Sequence, residues 1–263
     1  MKSKIFLVIF FLFFSASIWA EEYKNTTIME KLSVIKDALY QDYKNYFAGN
    51  GLGISLIIAG VLANTSIDRE IQEWYQNSLR SNDTDNFSKI IKPLGDGRKT
   101  IPVYLGTALL GEIFKNTKLL SIIGEWGRRS TRAILTGVFP MLFFQRALGA
   151  SRPEENDSHW RICEDNNGVS GHSFMGAIPF ITAAKMTYNP YLKYFLYLGS
   201  TLCGLSRIND NAHYLSQVVL GWYMAYLAAT SVDMTNKKMK KIIMPISPIG
   251  IKNGLGIRII FRF

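Results

Sequence analysis

Two histidines occupy two predicted helix starts within one segment of the chain, Gly168 to Gln217. The segment opens with Gly168-Val169-Ser170-Gly171-His172-Ser173, and its last twelve residues contain His213. The whole chain contains three histidines, so two of these rare titratable side chains fall here. The free backbone N–H groups at a helix start favour an anion, which makes a neighbouring histidine well placed for chemistry. We therefore expect the rest of the chain to be arranged around this segment.

The first helix start is built from small residues. Gly168 and Gly171 let the backbone turn tightly and approach a ligand. Ser170 can cap the helix or offer its hydroxyl to the same ligand. His172 lies in the first turn, within reach of whatever the N–H groups bind. Alone, the motif is equally compatible with a capped helix that carries an incidental histidine.

The second helix start follows a turn. Asn209-Asp210-Asn211 is typical turn chemistry between two helices, which places His213 in the first turn of the last long helix. Gln217 is four residues further on and therefore on the same helix face. Its amide oxygen could accept a hydrogen bond from one ring nitrogen of His213 and fix the tautomer. The alternative is a surface or helix-contact amide unrelated to His213.

Two arginines accompany the histidines. Arg152 precedes a proline at a predicted helix end, and Arg207 lies just before the second turn. Each alone could be an ordinary surface charge, but together with Ser170 and helix N–H groups they form an anion site suited to phosphate. The histidines would supply a nucleophile and a proton donor. The sequence shows no cluster of metal ligands, so it favours phosphoryl transfer through a phosphohistidine without metal or other cofactor.

These motifs resemble the type 2 phosphatidic acid phosphatase and vanadium haloperoxidase superfamily. That family shows Lys, six residues, Arg-Pro; then Pro-Ser-Gly-His; then Ser-Arg, five residues, His, three residues, Asp. The resemblance covers roughly Ile101 to Ala229, with the three motifs in order. It implies a helical bundle in which His213 attacks phosphorus and His172 protonates the leaving alkoxide. It also implies four groups that bind the phosphate oxygens: Arg152, Arg207, Ser170 and the Gly171 amide.

Three positions depart from the family pattern. The family lysine falls on Gln145, so a cation is lost from the phosphate site unless the next residue, Arg146, turns inward. The proline before Ser170 is Val169, a change that should matter little. The aspartate falls on Gln217, whose neutral amide can orient His213 but cannot stabilise an imidazolium as a carboxylate does. Loss of that charge in comparable triads lowers rates by orders of magnitude.

The chain is predicted to be mainly α-helical, with one helical bundle and a short C-terminal β-hairpin. We divide it into residues 1–20, a signal peptide or an N-terminal anchor; 21–100, an N-terminal helical region; 101–230, the phosphatase-like domain; and 231–263, a basic turn and the hairpin. Helices are expected over residues 26–43, 66–79, 173–186, 191–205 and 212–229. Apolar runs cover 52–63, 101–114 and 133–144, polar loops cover 81–86 and 154–167, and the hairpin strands are placed at 242–246 and 257–263.

The N-terminus is typical of export. Lys2 and Lys4 precede an apolar run, Ile5 to Phe14, and a small residue, Ala20, could be the cleavage site. An uncleaved anchor is the alternative, and both interpretations place the following segment outside the cytoplasm. In an oxidising compartment the two cysteines could pair or remain free thiols.

Charge and hydropathy favour an anionic or lipid partner. The net charge is +10 and 48% of the residues are hydrophobic, but the mean hydropathy is only +0.07. Zinc spacing, a recognition-helix pattern and an aromatic-basic sheet motif are all missing, which argues against nucleic acid. We expect an exported domain on a membrane or free in the periplasm, with full spanning as the alternative. The basic run Lys237 to Lys241 could contact anionic headgroups or form a solvated turn.

The leading hypothesis is a phosphatase acting outside the cytoplasm on a lipid-linked phosphomonoester. A relative that binds phosphate or a headgroup without turnover is the second hypothesis, motivated by Gln145 and Gln217. A vanadate-dependent haloperoxidase would need a halide-activating environment that the sequence does not display. A membrane structural protein would have to match three ordered motifs by chance. The sequence leaves the oligomeric state open.

Overall fold

The structure is a computed structural model that describes the backbone of residues 28–243, 246–251 and 254–259 and the side chains of residues 33–239. Residues 1–27 lie outside the described part, so the signal peptide, its alternative as an anchor and cleavage after Ala20 stay predictions. Everything that follows concerns the described residues.

The described chain is a mainly α-helical bundle, as the sequence predicts. The helices are α1 (Ile28–Phe47), α2 (Gly51–Ala63), α3 (Ile67–Ser78), α4 (Asn82–Ile91), α5 (Gly97–Ile113), α6 (Lys118–Ala147), α7 (Gly171–Met186), α8 (Pro190–Gly199), α9 (Leu202–Asn209) and α10 (Leu215–Ile243), with short 3-10 helices at Lys92–Gly95 and Pro153–Glu155.

The core lies where α6, α7 and α10 pack together. Phe174 and Ile178 of α7 and Leu220 and Met224 of α10 are fully buried. Gly137 of α6 lies directly under the ring of Phe174, where an added Cβ would approach the ring carbons to 2.7 Å. This close packing fixes the start of α7 relative to α10, and the start of α7 bears His172.

The N-terminal helices α3 and α4 pack beside the turn between α9 and α10. The buried carboxylate of Asp68 in α3 accepts a hydrogen bond from the backbone N–H of Ser216 at 2.9 Å. An anion at this position satisfies a free N–H group in the first turn of α10 and complements the helix dipole. The N-terminal region therefore supports the helix that carries Gln217.

Two local predictions are wrong. The segment 81–86, predicted as a loop, contains the start of α4, because Ser81 and Thr84 form a capping box that satisfies free N–H groups of the first turn. The helix predicted over 191–205 is broken after Gly199, which leaves little room for a Cβ beside the ring of Phe180. There the hydroxyl of Ser200 donates to the carbonyl of Tyr197.

The C-terminal end also differs from the prediction. Helix α10 continues through Lys237 to Ile243, so the basic run is helical rather than a turn, and Lys237 pairs with Asp233 at 2.7 Å. The first predicted strand therefore starts inside a helix. Backbone pairing joins Ile246–Ile251 to Gly254–Ile259 in antiparallel register. Because the side chains and the connecting residues 252–253 lie outside the described part, the C-terminal hairpin stays a prediction.

Two sets of helices are candidates for crossing a membrane. Leu215–Met239 is long and apolar enough, although 61% of its most apolar window is buried, as in the core helix of a soluble protein. Ser33–Phe47 and Gly51–Ala63 pass the same test only as a pair bent by 49°. The two cysteines, Cys163 and Cys203, are free thiols, the first exposed and the second buried.

Candidate active site

Three segments meet at the predicted site: the loop after α6, the start of α7 and the start of α10. The side-chain amide of Gln217 donates to the carbonyl of Ser151 in the loop at 2.7 Å. The backbone carbonyl of the same residue accepts from the N–H of Ser170 at 2.9 Å. Gln217 is 1% exposed, so this single buried residue connects all three segments.

Gln217 also fixes the tautomer of His213. Its Oε1 atom lies 2.7 Å from Nδ1 of His213 and accepts from the backbone N–H of Tyr214 at 3.2 Å. The amide orientation is determined, since the nitrogen donates to Ser151 and the oxygen accepts from a backbone donor. Nδ1 must therefore carry the proton, which leaves the lone pair on Nε2. The predicted contact with Gln217 is confirmed. The placement of His213 in the first turn of the helix is wrong, because α10 begins only at Leu215.

The environment keeps His213 neutral. Burial, together with the positive charges of Arg207 and Arg152, lowers its pKa to about 4, although the hydrogen bond to Gln217 acts in the opposite direction. A neutral imidazole with a free Nε2 lone pair is a nucleophile at any pH above this value. The charge of His172 also acts on His213, which places both histidines in one electrostatic environment.

The start of α7 has the predicted form. Ser170 is the buried N-cap, and its hydroxyl oxygen accepts from the N–H of Ser173 at 3.4 Å. His172 is the second residue of the helix and is half-buried. Burial lowers the pKa of His172, as do the charges of Arg207 and Lys92, while the charges of Asp96 and Asp210 raise it.

Gly95 packs directly against the backbone of His172. A Cβ at Gly95 would lie 2.7 Å from the backbone oxygen of His172 and 3.0 Å from its Cβ. The 3-10 helix Lys92–Gly95 can therefore approach the start of α7 only because glycine ends it. This contact connects the N-terminal region directly to the predicted proton donor.

Arg207 is a buried cation with unused hydrogen-bonding capacity. It is 8% exposed, and its Nη1 atom donates to Oδ2 of Asp210 at 3.0 Å. Its Nε–H group is buried and has no hydrogen-bond partner among the described residues. Burial lowers the pKa of Arg207, and the charge of Arg152 acts in the same direction. A buried guanidinium with an unpaired donor is a strong candidate for binding an anion.

Arg152 is the more exposed of the two arginines. Its Nε atom donates to Oδ1 of Asn167 at 3.2 Å, and the backbone N–H of Asn167 donates to the carbonyl of Ala150. Its charge lowers the pKa of both His213 and Arg207. The loop therefore brings Arg152 to the same side of the bundle as the histidines.

Gln145 and Arg146 do not restore the cation that the family lysine would supply. The amide of Gln145 donates to the carbonyl of Val169 at 3.0 Å, and its backbone carbonyl accepts from Gly168. Gln145 thus supports the loop before Ser170. Arg146 is exposed, and its charge is not among those that act on His213. Val169 is fully buried in the core.

Sequence reasoning missed four residues beside the site. The sequence predicts only a turn residue at Asp210, but its carboxylate accepts from Arg207, from Lys92 at 3.1 Å and from the hydroxyl of Ser88 at 2.6 Å. Asn167 holds Arg152. The position of Asp210 three residues after Arg207 was the one available signal, because residues at this spacing lie side by side on a helix. Lys92 and Ser88 are distant in sequence and carry no local signal.

The arrangement can bind and activate a tetrahedral oxyanion. Two arginines and the N–H groups at the start of α7 supply donors, and two histidines of lowered pKa lie beside them. Within the part of the chain that the structure describes, no three His, Cys, Asp or Glu side chains are grouped as metal ligands. The chain therefore carries a candidate oxyanion site, lined by histidines and arginines, on a helical bundle.

Residues 132–239 match the family model of the PAP2 superfamily and form a PAP2 superfamily domain. The match includes every predicted site residue and confirms the resemblance that the three motifs indicate. Helices α1 to α5 precede it. No curated protein and no solved structure matches this chain.

Proposed function

We propose that this protein is a phosphatase that hydrolyses lipid-linked phosphomonoesters through a phosphohistidine, without a metal ion, on the outer side of the cytoplasmic membrane. PAP2 superfamily membership indicates phosphatase-like chemistry on phosphate esters. The observation that carries the proposal is the 2.7 Å contact between His213 and Gln217, which leaves the Nε2 lone pair of His213 free to attack.

In the first step, Nε2 of His213 attacks phosphorus and the bond from phosphorus to the ester oxygen breaks. His172 gives its proton to the departing alkoxide, so that the alcohol leaves neutral. The imidazole that results on His172 can then act as the base of the second step. Nδ1–H of His213 keeps its hydrogen bond to Gln217 while the ring becomes positively charged.

In the second step, water attacks the phosphohistidine. His172 takes a proton from the water, the bond between Nε2 and phosphorus breaks, and inorganic phosphate is released. His213 returns to its neutral form and His172 to its protonated form. Arg207, Arg152 and the N–H groups at the start of α7 would hold the equatorial oxygens during both steps.

Apolar side chains on the outside of the bundle favour a lipid substrate. Ile57, Ile113, Phe143 and Phe195 belong to four different helices, and each exposes at least 60% of its surface. Exposed apolar side chains suit membrane contact where they form a continuous surface, and the net charge of +10 favours an anionic lipid surface. One or two candidate spanning helices are compatible with membrane association.

A binding protein without turnover is the second candidate, and one observation favours it. Gln217 is neutral, so the imidazolium that forms on His213 during attack gains no carboxylate partner. Such a protein would still bind phosphate through Arg207 and Arg152.

The deciding experiment measures phosphate release by the purified mature protein from lipid and soluble monoesters, with EDTA present. We expect EDTA-resistant release that His213→Ala abolishes and His159→Ala leaves unchanged. His159 is a matched control because it is exposed and bonded to Asp157 in a different loop. An acid-labile, alkali-stable phosphoryl adduct should accumulate on wild type but not on His213→Ala. Unchanged turnover by His213→Ala would refute the proposal. Stabilisation by phosphate or vanadate without release would identify the binding protein.

A further inference from the structure

Helices α3 and α4, which precede the family match, contact the turn that joins Arg207 to His213. The side-chain amide of Asn209 donates to Asp85 of α4 at 2.7 Å. The amide of Gln72 in α3 donates to Asn211, also at 2.7 Å. These contacts fix the turn that joins Arg207 to His213, so residues before position 132 form part of the environment of the site.

The most direct of these contacts involves Lys92. Its Nζ atom lies 3.1 Å from Oδ2 of Asp210, the same oxygen that accepts from Nη1 of Arg207 at 3.0 Å. The other oxygen of Asp210 accepts from the hydroxyl of Ser88 at 2.6 Å. The carboxylate of Asp210, which also accepts from Ser88, therefore places the side chains of Lys92 and Arg207 next to each other.

Lys92 also lies near the proton donor. It begins the 3-10 helix whose last residue, Gly95, packs against the backbone of His172. Its positive charge is one of those that lower the pKa of His172. The Lys92 side chain is 48% exposed, so its ammonium group can leave Asp210 for a ligand at small cost.

Lys92 adds a fixed positive charge to the groups that would face a phosphate dianion. Asp210 pairs with Arg207 and offsets one of the two positive charges that Arg207 and Arg152 supply. Adding Lys92 restores an excess of two positive charges. Asp96, the other carboxylate near His172, pairs with Arg98 at 3.1 Å and does not change this balance. The amide of Gln145 supplies no charge.

We infer that Lys92 is a third cation of the oxyanion site and that Asp210 holds it beside Arg207 when no ligand is bound. When phosphate binds, Nζ of Lys92 donates to one of its oxygens, and Asp210 keeps its bonds to Ser88 and Arg207. The inference deepens the proposed function, since it concerns how the same site binds phosphate. It also assigns a role to a region that lies outside the PAP2 superfamily match.

The test measures the affinity of the full mature chain for inorganic phosphate and for vanadate by calorimetry. Lys92→Gln should weaken both affinities about tenfold, since a charge-assisted hydrogen bond is lost at a partly exposed position. Lys92→Arg should stay within about threefold of wild type. Lys89→Gln is the matched control, because Lys89 is exposed on the preceding helix and bonds Asn86. Melting temperatures of all variants verify that they are folded.

A double-mutant cycle distinguishes ligand contact from an indirect effect through Asp210. In an Asp210→Asn background, Lys92→Gln should still weaken phosphate binding severalfold if Nζ contacts the ligand. No effect in that background, or unchanged affinity in the single variant, would overturn the inference. Phosphate binding without ester hydrolysis would refute the proposed phosphatase and leave this inference standing. No binding of either oxyanion by wild type would refute both.

Discussion

Nδ1 of His213 lies 2.7 Å from Oε1 of Gln217, and the amide nitrogen of Gln217 is committed to the carbonyl of Ser151. A carboxylate would accept from His213 equally well, but its second oxygen would face the Ser151 carbonyl without a proton between them. The loop after α6 thus favours an amide at this position. The neutral amide of Gln217 therefore orients His213 with its oxygen while its nitrogen donates to the Ser151 carbonyl.

Replacement of Gln217 by leucine should reduce turnover far more than it reduces phosphate binding. Leucine cannot accept from Nδ1–H, so the lone pair is no longer fixed on Nε2. Loss of the correct tautomer in comparable triads lowers the rate by about 10⁴-fold, and we expect a loss of at least about 100-fold in kcat here. Steady-state kinetics together with phosphate affinity measure the two effects separately.

A Gln217→Glu variant tests the same arrangement from the opposite side. The carboxylate should raise the pKa of His213 by stabilising the imidazolium. It should also destabilise the fold, because the Ser151 carbonyl loses its donor and faces a negative charge. NMR titration of His213 and thermal unfolding report the two effects. A higher pKa without loss of stability would show that the Ser151 contact is dispensable.

The activity should be greatest at acidic pH. His213 must be unprotonated to attack, and burial lowers its pKa to about 4, so kcat/KM should fall only as the pH approaches that value. His172 must be protonated to act as an acid, and its pKa lies below the ordinary 6.5, so kcat/KM should fall again as the pH rises through that lower value. The maximum is therefore expected between about pH 4 and 6.5.

A pH series of kcat/KM on one soluble ester and one lipid ester checks this expectation. His172→Asn should remove the alkaline limb and lower the rate at the optimum. Flat activity up to pH 8 would contradict the assignment of His172 as the acid. The pH dependence of kcat/KM reports the pKa values of the free protein, so it can be compared directly with the lowered pKa values of His213 and His172 in the ligand-free structure.

Much of the site could be predicted from the sequence because its parts are local. Ser170 and His172 lie together at one helix start. His213 and Gln217 are four residues apart, and this spacing predicts their contact even though His213 lies just before the helix. Apolar runs of helical length predict a mainly helical domain, and the family resemblance implies the bundle. Arg152 and Arg207 were predicted through their positions beside breaks in the chain.

The rest depends on contacts between residues far apart in the sequence. Lys92 reaches Asp210 across more than one hundred residues, and no periodicity or motif carries such information. The start of α4 was missed for a different reason, because the polar residues at 81–86 are typical both of loops and of capped first turns. The break after Gly199 lies where the chain packs against the ring of Phe180, a contact that the helical pattern does not reveal.

The contact between Gly95 and His172 predicts a selective effect of a small substitution. In Gly95→Ala, the new Cβ would lie 2.7 Å from the backbone oxygen of His172, so the start of α7 must shift. A displaced proton donor should slow esters with poor leaving groups by about 10²-fold and spare aryl esters that leave without protonation. The ratio of the two rates is the measurement.

Gly97→Ala is the matched control for that substitution. A Cβ at Gly97 would come closest to the terminal methyl of Met175, at 3.2 Å, and this flexible side chain can move. We expect the leaving-group ratio of Gly97→Ala to equal that of wild type. Equal changes of the leaving-group ratio in the two alanine variants would show that the contact between Gly95 and His172 has no part in the chemistry.

The unpaired Nε–H of Arg207 predicts that this arginine cannot be replaced by lysine. Arg207→Lys keeps the charge but removes the buried donor and the planar fork that bind an oxyanion at two points. Phosphate affinity should fall about tenfold or more. Arg152→Lys should cost less, because Nε of Arg152 already donates to Asn167 and the side chain is exposed. Calorimetry with phosphate measures both variants, and equal losses would show that the buried Nε–H does not bind the ligand.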